Sequence, residues 1–166
     1  MSNRNELRHT DNGNYHKGFY NDGNYEEILS EIEYTDIFLQ QTDEEDGIDD
    51  ANCLWQGACD CFALELYKAF NYDIYRIKGE KSHHTFCRAV EGGKEYYVDV
   101  RGMTSDIEEF KKGLDFFINQ NSQITHIGHQ QLENEINECM EKEDWANKAL
   151  EFAQHMILQY ACCYAL

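Results

Sequence analysis

The chain has 166 residues, of which 42% are hydrophobic and 13% aromatic, and its formal net charge is −18. This composition predicts one folded domain with a real core rather than a disordered chain. No stretch of about 18 apolar residues is present to form a membrane span. With 14 basic and 32 acidic residues, direct nucleic-acid binding is disfavoured because phosphate contacts need an excess of Lys and Arg. A basic protein surface is the kind of partner that this charge favours.

The N-terminus and the seven cysteines indicate the compartment. The polar start, Met1–Glu6, lacks the apolar core of a signal peptide, so we expect a cytoplasmic protein. Thiols in that compartment are kept reduced, and an odd number of cysteines agrees with this. We therefore expect free cysteines rather than a disulfide framework.

The first 50 residues carry weak periodic signals. Residues 1–24 are rich in Asn, Gly, Asp and Tyr without a hydrophobic period, which predicts an irregular arm before a single α+β domain at 25–166. Near-helical spacing at 25–40 predicts a helix that Asn24 caps. The acidic run at 42–50 is either a solvated loop or a docking strip for a basic surface.

Residues 57–70 carry the clearest helix signal, since their apolar residues recur at helical spacing. Alternation predicts strands at 73–78, 84–90 and 95–100, and Gly92-Gly93 predicts a hairpin turn between the last two. The apolar stripe of the helix consists of Cys59, Phe62, Ala63, Leu66 and Phe70.

The remaining third of the chain is predicted to be mostly helical. Ser105 and Glu108 form a capping-box pattern that predicts a short helix to about Gly113. A strand is expected at 124–127. Two closing helices are expected at 131–140 and 144–165.

Cys59 is the strongest candidate for chemistry because it opens the predicted helix. A helix N-terminus carries partial positive charge and unpaired N–H groups, which favour a thiolate. The same N–H groups, together with the Gln56 side chain, are suited to stabilise an oxyanion. A cysteine on an apolar stripe is also a common packing residue, so burial without chemistry is the alternative interpretation.

The hairpin register supplies a base and an orienting carboxylate. If Gly92 and Gly93 form the turn, His84 lies opposite Arg101, and Asp99 projects on the same face two residues earlier. Asp99 is then a diagonal neighbour of His84, at about 7–8 Å between backbones. His83 points to the other face. A Cys59–His84–Asp99 triad follows, with Arg101 in support.

Zinc is a further alternative, since six Cys and His side chains are available as ligands. The chain has no Cys-x-x-Cys pair, and Cys59-x-Cys61 on one helix directs its two thiols apart. We therefore expect neither a metal nor another cofactor. The six residues are Cys53, Cys59, Cys61, His83, His84 and Cys87.

These motifs resemble known proteins over about residues 53–110. The pattern G-x-C-x-x-F-A from Gly57, then His83-His84, then Y-V-D-V-R-G from Tyr97, resembles a group of small phage and bacterial proteins. The order Cys on a helix, then His and Asp about 15 residues apart on adjacent strands, resembles the transglutaminase-like branch of the papain-like superfamily. That branch usually has an aromatic where this chain has Asp60. The turn that ends at Cys59 is similar to that of ovarian-tumour-type deubiquitinases, with Gln56 in place of their usual Asp.

The resemblance implies a papain-like core in which a nucleophile helix packs on a small antiparallel sheet. It implies a cysteine hydrolase or acyltransferase that acts on an amide, isopeptide or ester bond of a protein or small molecule. The alternative is an acidic binder without catalysis, either a phage-type inhibitor or a mimic of DNA charge, on a degenerate form of the same fold. The oligomeric state is not predicted.

Overall fold

A seven-stranded antiparallel sheet forms the centre of the computed structural model, which describes residues 3–40, 46–114, 118–119, 121–142 and 144–166. The strands are β1 (Arg8–His9), β2 (Tyr15–Gly18), β3 (Asp73–Lys78), β4 (His83–Glu91), β5 (Lys94–Asp99), β6 (Gly102–Thr104) and β7 (Ile124–His126). Their order across the sheet is β1-β2-β6-β5-β4-β3-β7. The mixed α+β class expected from the sequence is confirmed.

Seven α-helices surround the sheet within the described part of the chain. They are α1 (Tyr25–Ser30), α2 (Tyr34–Phe38), α3 (Cys59–Phe70), α4 (Ile107–Lys111), α5 (His129–Lys142), α6 (Trp145–Gln159) and α7 (Ala161–Tyr164). Short 3₁₀ helices occupy Phe19–Asp22 and Ala51–Leu54. Among the described residues, none of the helices combines the length and apolarity that a bilayer span requires.

Helix α3 is the central helix, with β4 on one side and α6 on the other. The predicted apolar stripe faces the core, where Phe62, Ala63 and Leu66 are each at most 1% exposed. Asn71 ends the helix in the left-handed conformation, with a φ of 59°, which Asn tolerates better than most residues. Strand β3 begins two residues later, so only Asn71 and Tyr72 connect α3 to the sheet.

The β4–β5 hairpin has the predicted register, with Glu91 opposite Lys94 and Cys87 opposite Val98. Gly92 and Gly93 have φ values of 60° and 79°. Positive φ at both central positions is the requirement of a type I′ turn, and glycine meets it without a steric penalty. The turn therefore sets which face each later residue of the hairpin takes.

The ladder between β4 and β5 stops before the strands do. Its last pair is Cys87 with Val98, whereas β4 continues against β3 as far as His83 opposite Lys78. Strand β5 ends at Asp99, which lies opposite Gly102 of β6, so the expected pair of His84 with Arg101 does not form. One edge of β4 near its start is thus left without a strand partner, and the beginning of α3 reaches this edge.

The N-terminal segment differs from the predicted irregular arm, which was wrong. Strands β1 and β2 extend the sheet, and β2 pairs with β6 from His16 opposite Thr104 to Gly18 opposite Gly102. These strands have two and four residues, too few for an alternating pattern to be detectable. Their pairing with a distant strand, rather than local propensity, fixes their conformation.

Three helix boundaries also differ from prediction. The helix expected at 25–40 is broken between α1 and α2. The backbone between them forms hydrogen bonds with residues 49–51 instead, for example from Tyr34 N to Asp49 O at 2.8 Å. Asp106, not Ser105, caps α4 by accepting from two backbone N–H groups. The last helix is divided after Gln159 into α6 and α7.

The acidic run at 42–50 lies partly outside the described residues, which resume at Asp46. Asp46 pairs with Lys148 at 3.0 Å. Asp50 accepts a hydrogen bond from Asn52 N and caps the 3₁₀ helix that follows it. These two carboxylates therefore take part in intramolecular contacts.

Replacing Gly102 by alanine should strongly destabilise the sheet. A Cβ at Gly102 would lie 2.2 Å from the carbonyl oxygen of Lys17, and the φ of 117° is unfavourable for any side chain. We expect Gly102→Ala to lower the free energy of unfolding by about 3 kcal/mol or more, measured by urea denaturation. Gly128→Ala is the matched control, because its Cβ would meet nothing within 4 Å. Equal stability of the two variants would contradict the β2–β6 packing.

Candidate active site

Cys59 is the first residue of α3 and sits at the open edge of β4. Its sulfur accepts a hydrogen bond from the backbone N–H of Thr85 at 3.4 Å, a group that would otherwise face a neighbouring strand. The residue is only 5% exposed. The sulfur is therefore held against the peptide group that joins His84 to Thr85.

His84 and Asp99 form the predicted hydrogen bond, from Nε2 to Oδ2 at 2.9 Å. Both residues are almost fully buried, at 0% and 2% exposure. The His84 ring stacks on Phe86 and lies near Phe110, with centroids 6.0 and 5.8 Å away. Asp99 and the two rings leave the imidazole little freedom to rotate.

Arg101 completes this buried network. Its side chain is fully buried and contacts the Asp99 carboxylate through Nε and through Nη2, the latter at 2.7 Å. Nη2 also donates to the carbonyl oxygen of Phe110, and Nη1 donates to that of Lys112. Four aromatic rings lie within 4.6–5.6 Å of its Cζ. They belong to Tyr20, Tyr25, Trp55 and Phe110.

The charges of this network are fixed by its partners. Burial alone would raise the pKa of Asp99, but the Arg101 charge and the His84 hydrogen bond outweigh it and hold that pKa well below its usual value. Asp99 is therefore ionised and accepts from His84 Nε2, so in the neutral imidazole the lone pair lies on Nδ1. That Nδ1 is buried and has no hydrogen-bond partner among the described residues.

A second polar cluster lies beside the Cys59 sulfur. Asp60 Oδ1 accepts from His83 Nε2 at 3.2 Å and from Arg76 Nη2 at 3.1 Å, and it also bonds the Thr85 hydroxyl. Arg76 reaches on to Glu135 at 2.8 Å. Burial would raise the pKa of Asp60, yet the hydrogen bonds from His83 and Thr85, with the Arg76 charge, lower it to about 2.

A cavity of about 370 Å³ opens onto the second cluster. Trp55 and Leu114 form apolar parts of its wall, and Gln56 and Lys81 add polar groups. Cys59, Asp60 and His83 also line the cavity. Solvent or a small substrate group can therefore approach the sulfur from this side.

Burial determines the protonation of Cys59. Removal from water, together with the neighbouring Asp60 charge, raises the pKa of the thiol to about 12, although the Thr85 N–H and Arg76 act in the opposite direction. The rise from 9.0 corresponds to about 4 kcal/mol. A helix N-terminus contributes up to about 2 kcal/mol in favourable, partly buried geometries. Burial therefore outweighs the thiolate character expected from the helix N-terminus, and the resting sulfur is a neutral thiol.

The structure brings some predicted site residues together and separates others. His84, Asp99 and Arg101 share one hydrogen-bonded network, and Gln56 and Cys59 line one cavity. The Cys59 sulfur makes no hydrogen bond with the His84 ring. The other six cysteines are free thiols, as Cys59 is. Disulfides are thus absent among the described residues.

Sequence reasoning missed the Asp60 cluster. His83 and Thr85 are two residues apart on β4, so the sequence indicates that they share a face. Asp60 departs from the transglutaminase-like pattern, but this departure does not by itself indicate a contact with His83. Arg76 lies on β3 and Glu135 on α5, and these two elements meet only in the tertiary fold.

Comparisons with protein-family models, with curated proteins and with solved structures found no match for this chain. The functional conclusion therefore depends on the geometry of the site itself.

The reactivity of Cys59 toward a small alkylating agent should follow its protonation. Since the pKa of the thiol is raised to about 12, little thiolate is present at neutral pH, and the iodoacetamide rate should keep rising from pH 7 to pH 10. Peptide mapping by mass spectrometry measures the rate at each cysteine, and exposed Cys162 is the internal control. A Cys59 rate that reaches a plateau below pH 7 would contradict the neutral thiol.

Removing the Arg101 cation should destabilise the protein severely, because it leaves the Asp99 carboxylate buried and unpaired. We expect Arg101→Met to lower the free energy of unfolding by about 3–5 kcal/mol, measured by urea denaturation. Arg88→Met is the matched control, since Arg88 also lies over aromatic rings but is partly exposed, and it should lose about 1 kcal/mol or less. Equal losses of unfolding free energy in the two variants would show that burying the Asp99–Arg101 ion pair does not raise the cost of removing the arginine.

Proposed function

We propose that the chain is a cysteine-dependent hydrolase or acyltransferase with a papain-like core. In this proposal Cys59 is the nucleophile, His84 is the general base and acid, and Asp99 orients the imidazole. The bonds acted on are amides, isopeptides or esters, with water or an amine as the acyl acceptor. The proposal needs no cofactor for this reaction.

The observation that carries the proposal is the free Nδ1 of His84. Asp99 fixes Nε2, and the residue after His84 holds the Cys59 sulfur by its backbone N–H. An unpaired buried polar atom costs about 1–3 kcal/mol. A structural histidine would gain stability by pairing both nitrogens, whereas a general base needs one lone pair free for the thiol proton.

The neutral thiol sets the order of steps. The thiol proton passes to His84 Nδ1 while the sulfur attacks the acyl carbon, and the carbonyl π pair moves onto oxygen. The tetrahedral species collapses as the carbon–nitrogen or carbon–oxygen bond breaks, and His84 returns the proton to the leaving group. The resulting thioester is cleaved by water or an amine, which His84 deprotonates. The carbon–sulfur bond then breaks, and His84 returns its proton to the Cys59 sulfur, which restores the thiol.

Oxyanion stabilisation is proposed for the start of α3 and the turn before it. The backbone N–H groups of Cys59 and Asp60 have no acceptor among the described residues, since the first helical bonds come from Cys61 and Phe62 to Ala58 O. The exposed Gln56 side chain lines the same cavity. Arg101 supports the reaction indirectly, because it keeps Asp99 ionised and in place.

Acyl-enzyme formation tests the proposal. Treatment with p-nitrophenyl acetate should acetylate Cys59 with a burst of nitrophenol, read by absorbance and by intact mass. All variants should be built on a Cys139→Ser/Cys162→Ser background, which removes the exposed thiols. Cys59→Ser should abolish the burst, because a hydroxyl at this site lacks the nucleophilicity of sulfur. His84→Gln should slow acetylation by about 10²–10⁴-fold, since its amide can keep the bond to Asp99 but cannot act as a base.

His83→Gln is the matched control for His84→Gln. A larger loss in His83→Gln than in His84→Gln would transfer the role of base to His83 and overturn the assignment. Circular dichroism and urea denaturation should show that each variant is folded. If folded Cys59→Ser retains the burst, the thiol chemistry is wrong, and the acidic binder without catalysis becomes the better proposal.

A further inference from the structure

We infer that Cys59, Asp60 and His83 form a binding site for one Zn²⁺ ion, which blocks the sulfur reversibly. The inference goes beyond the proposed reaction, and the binding itself does not depend on it. One ligand atom from each residue lies within 4.8 Å of the other two. The chain lacks paired cysteines at zinc spacing, but a site with one ligand of each type needs no such pair.

The donor set and its spacing suit zinc. A thiolate, an imidazole nitrogen and a carboxylate oxygen are its usual protein ligands, at about 2.3, 2.0–2.1 and 2.0–2.2 Å. Tetrahedral angles then place ligand atoms roughly 3.3–3.5 Å apart. The three ligand atoms already lie within 4.8 Å of one another. Rotation of the His83 side chain would move its Nε2 from Asp60 Oδ1, which is 3.2 Å away, toward an ion on Oδ2. Water takes the fourth position.

Asp60 is supported as metal-bound carboxylates usually are. All its hydrogen bonds with described side chains end on Oδ1, which leaves Oδ2 for a metal. Thr85 and Arg76 hold the carboxylate from behind, as supporting residues around zinc commonly do. The Arg76 cation would repel Zn²⁺, but Glu135 pairs with it at 2.8 Å and reduces that repulsion.

The site is accessible from the cavity. The His83 side chain is 37% exposed and that of Asp60 is 26% exposed, so an ion can enter without unfolding. His84 and Asp99 are enclosed by the buried network and contribute no ligand. Two neighbouring histidines of β4 thus have separate roles, which makes the inference testable apart from the proposed reaction.

Coordination has a defined chemical consequence. As the zinc–sulfur bond forms, the Cys59 S–H proton is released to solvent. His83 binds through an unprotonated Nε2, so its ring proton moves to Nδ1, and no electron is transferred. The bound sulfur then no longer reacts freely with an alkylating agent or an acyl group. Chelation reverses the block.

Metal titration of the untagged full chain, first stripped with a chelator, tests the inference. Zinc affinity should be measured by competition with a chromophoric chelator. His83→Gln and Asp60→Asn should each weaken binding by more than the roughly 10–100-fold lost when only a supporting residue is removed. His155→Gln and Cys139→Ser are matched controls at positions outside the cluster and should bind as the unmodified chain does. Because Asp60→Asn also disturbs Arg76, His83→Gln provides the decisive comparison.

Two spectroscopic and chemical readings complete the test. Co²⁺ should give a sulfur-to-metal charge-transfer band that Cys59→Ser removes, and Zn²⁺ should protect Cys59 from iodoacetamide in the unmodified chain but not in His83→Gln. Equal zinc affinity of His83→Gln and the unmodified chain would overturn the inference. His84→Gln should retain zinc binding. If His84→Gln loses the acetylation burst but still binds zinc, the result bears on the proposed reaction only. If His83→Gln loses zinc binding but keeps the burst, the result bears on the zinc site only.

Discussion

The buried ion pair between Asp99 and Arg101 is the constraint on which the rest of the structure depends. Taking two full charges out of water costs several kcal/mol for each ion, so the pair is tolerated only where every hydrogen bond is supplied. Three segments supply them. Asp99 and Arg101 bond each other across the turn from β5 to β6, and α4 and the residues after it contribute two carbonyl oxygens. His84 of β4 bonds the Asp99 oxygen, Oδ2, that Arg101 Nη2 also contacts.

Residues 99–101 also accept hydrogen bonds from segments near both ends of the chain. The Arg101 carbonyl accepts from Tyr20 N at 3.1 Å, and the Val100 carbonyl accepts from the Tyr164 hydroxyl at 2.8 Å. The N-terminal 3₁₀ helix, α4 and the C-terminal helix therefore meet at residues 99–101. Because β5 ends here and the chain turns into β6, the start of β4 has no strand partner on this side, and the Cys59 sulfur lies at that edge. The ion pair and the position of the thiol thus both follow from this one turn.

The parts of this arrangement that local sequence encodes were predictable, and the parts that tertiary packing decides were not. Helical spacing identified α3 to within two residues, and Gly92-Gly93 fixed the hairpin register that makes His84 a neighbour of Asp99. The charge state of Cys59 was mispredicted, because a sequence shows that a cysteine opens a helix but not how deeply that end is buried. The N-terminal strands were missed because their partner, β6, is more than 80 residues away.

The adjacent histidines show why one residue of register matters so much at this site. Successive side chains of a strand point to opposite faces, so β4 places His84 in a buried network and His83 in a partly exposed one. In the buried network an ionised carboxylate fixes the tautomer, and the free nitrogen has no hydrogen-bond partner among the described residues. In the partly exposed network the imidazole shares its carboxylate with an arginine and a threonine and lines the cavity. The sulfur at the edge of β4 lies between these environments. A proton acceptor must be held in one tautomer, whereas a metal ligand must be reachable, and each histidine meets only one of these requirements.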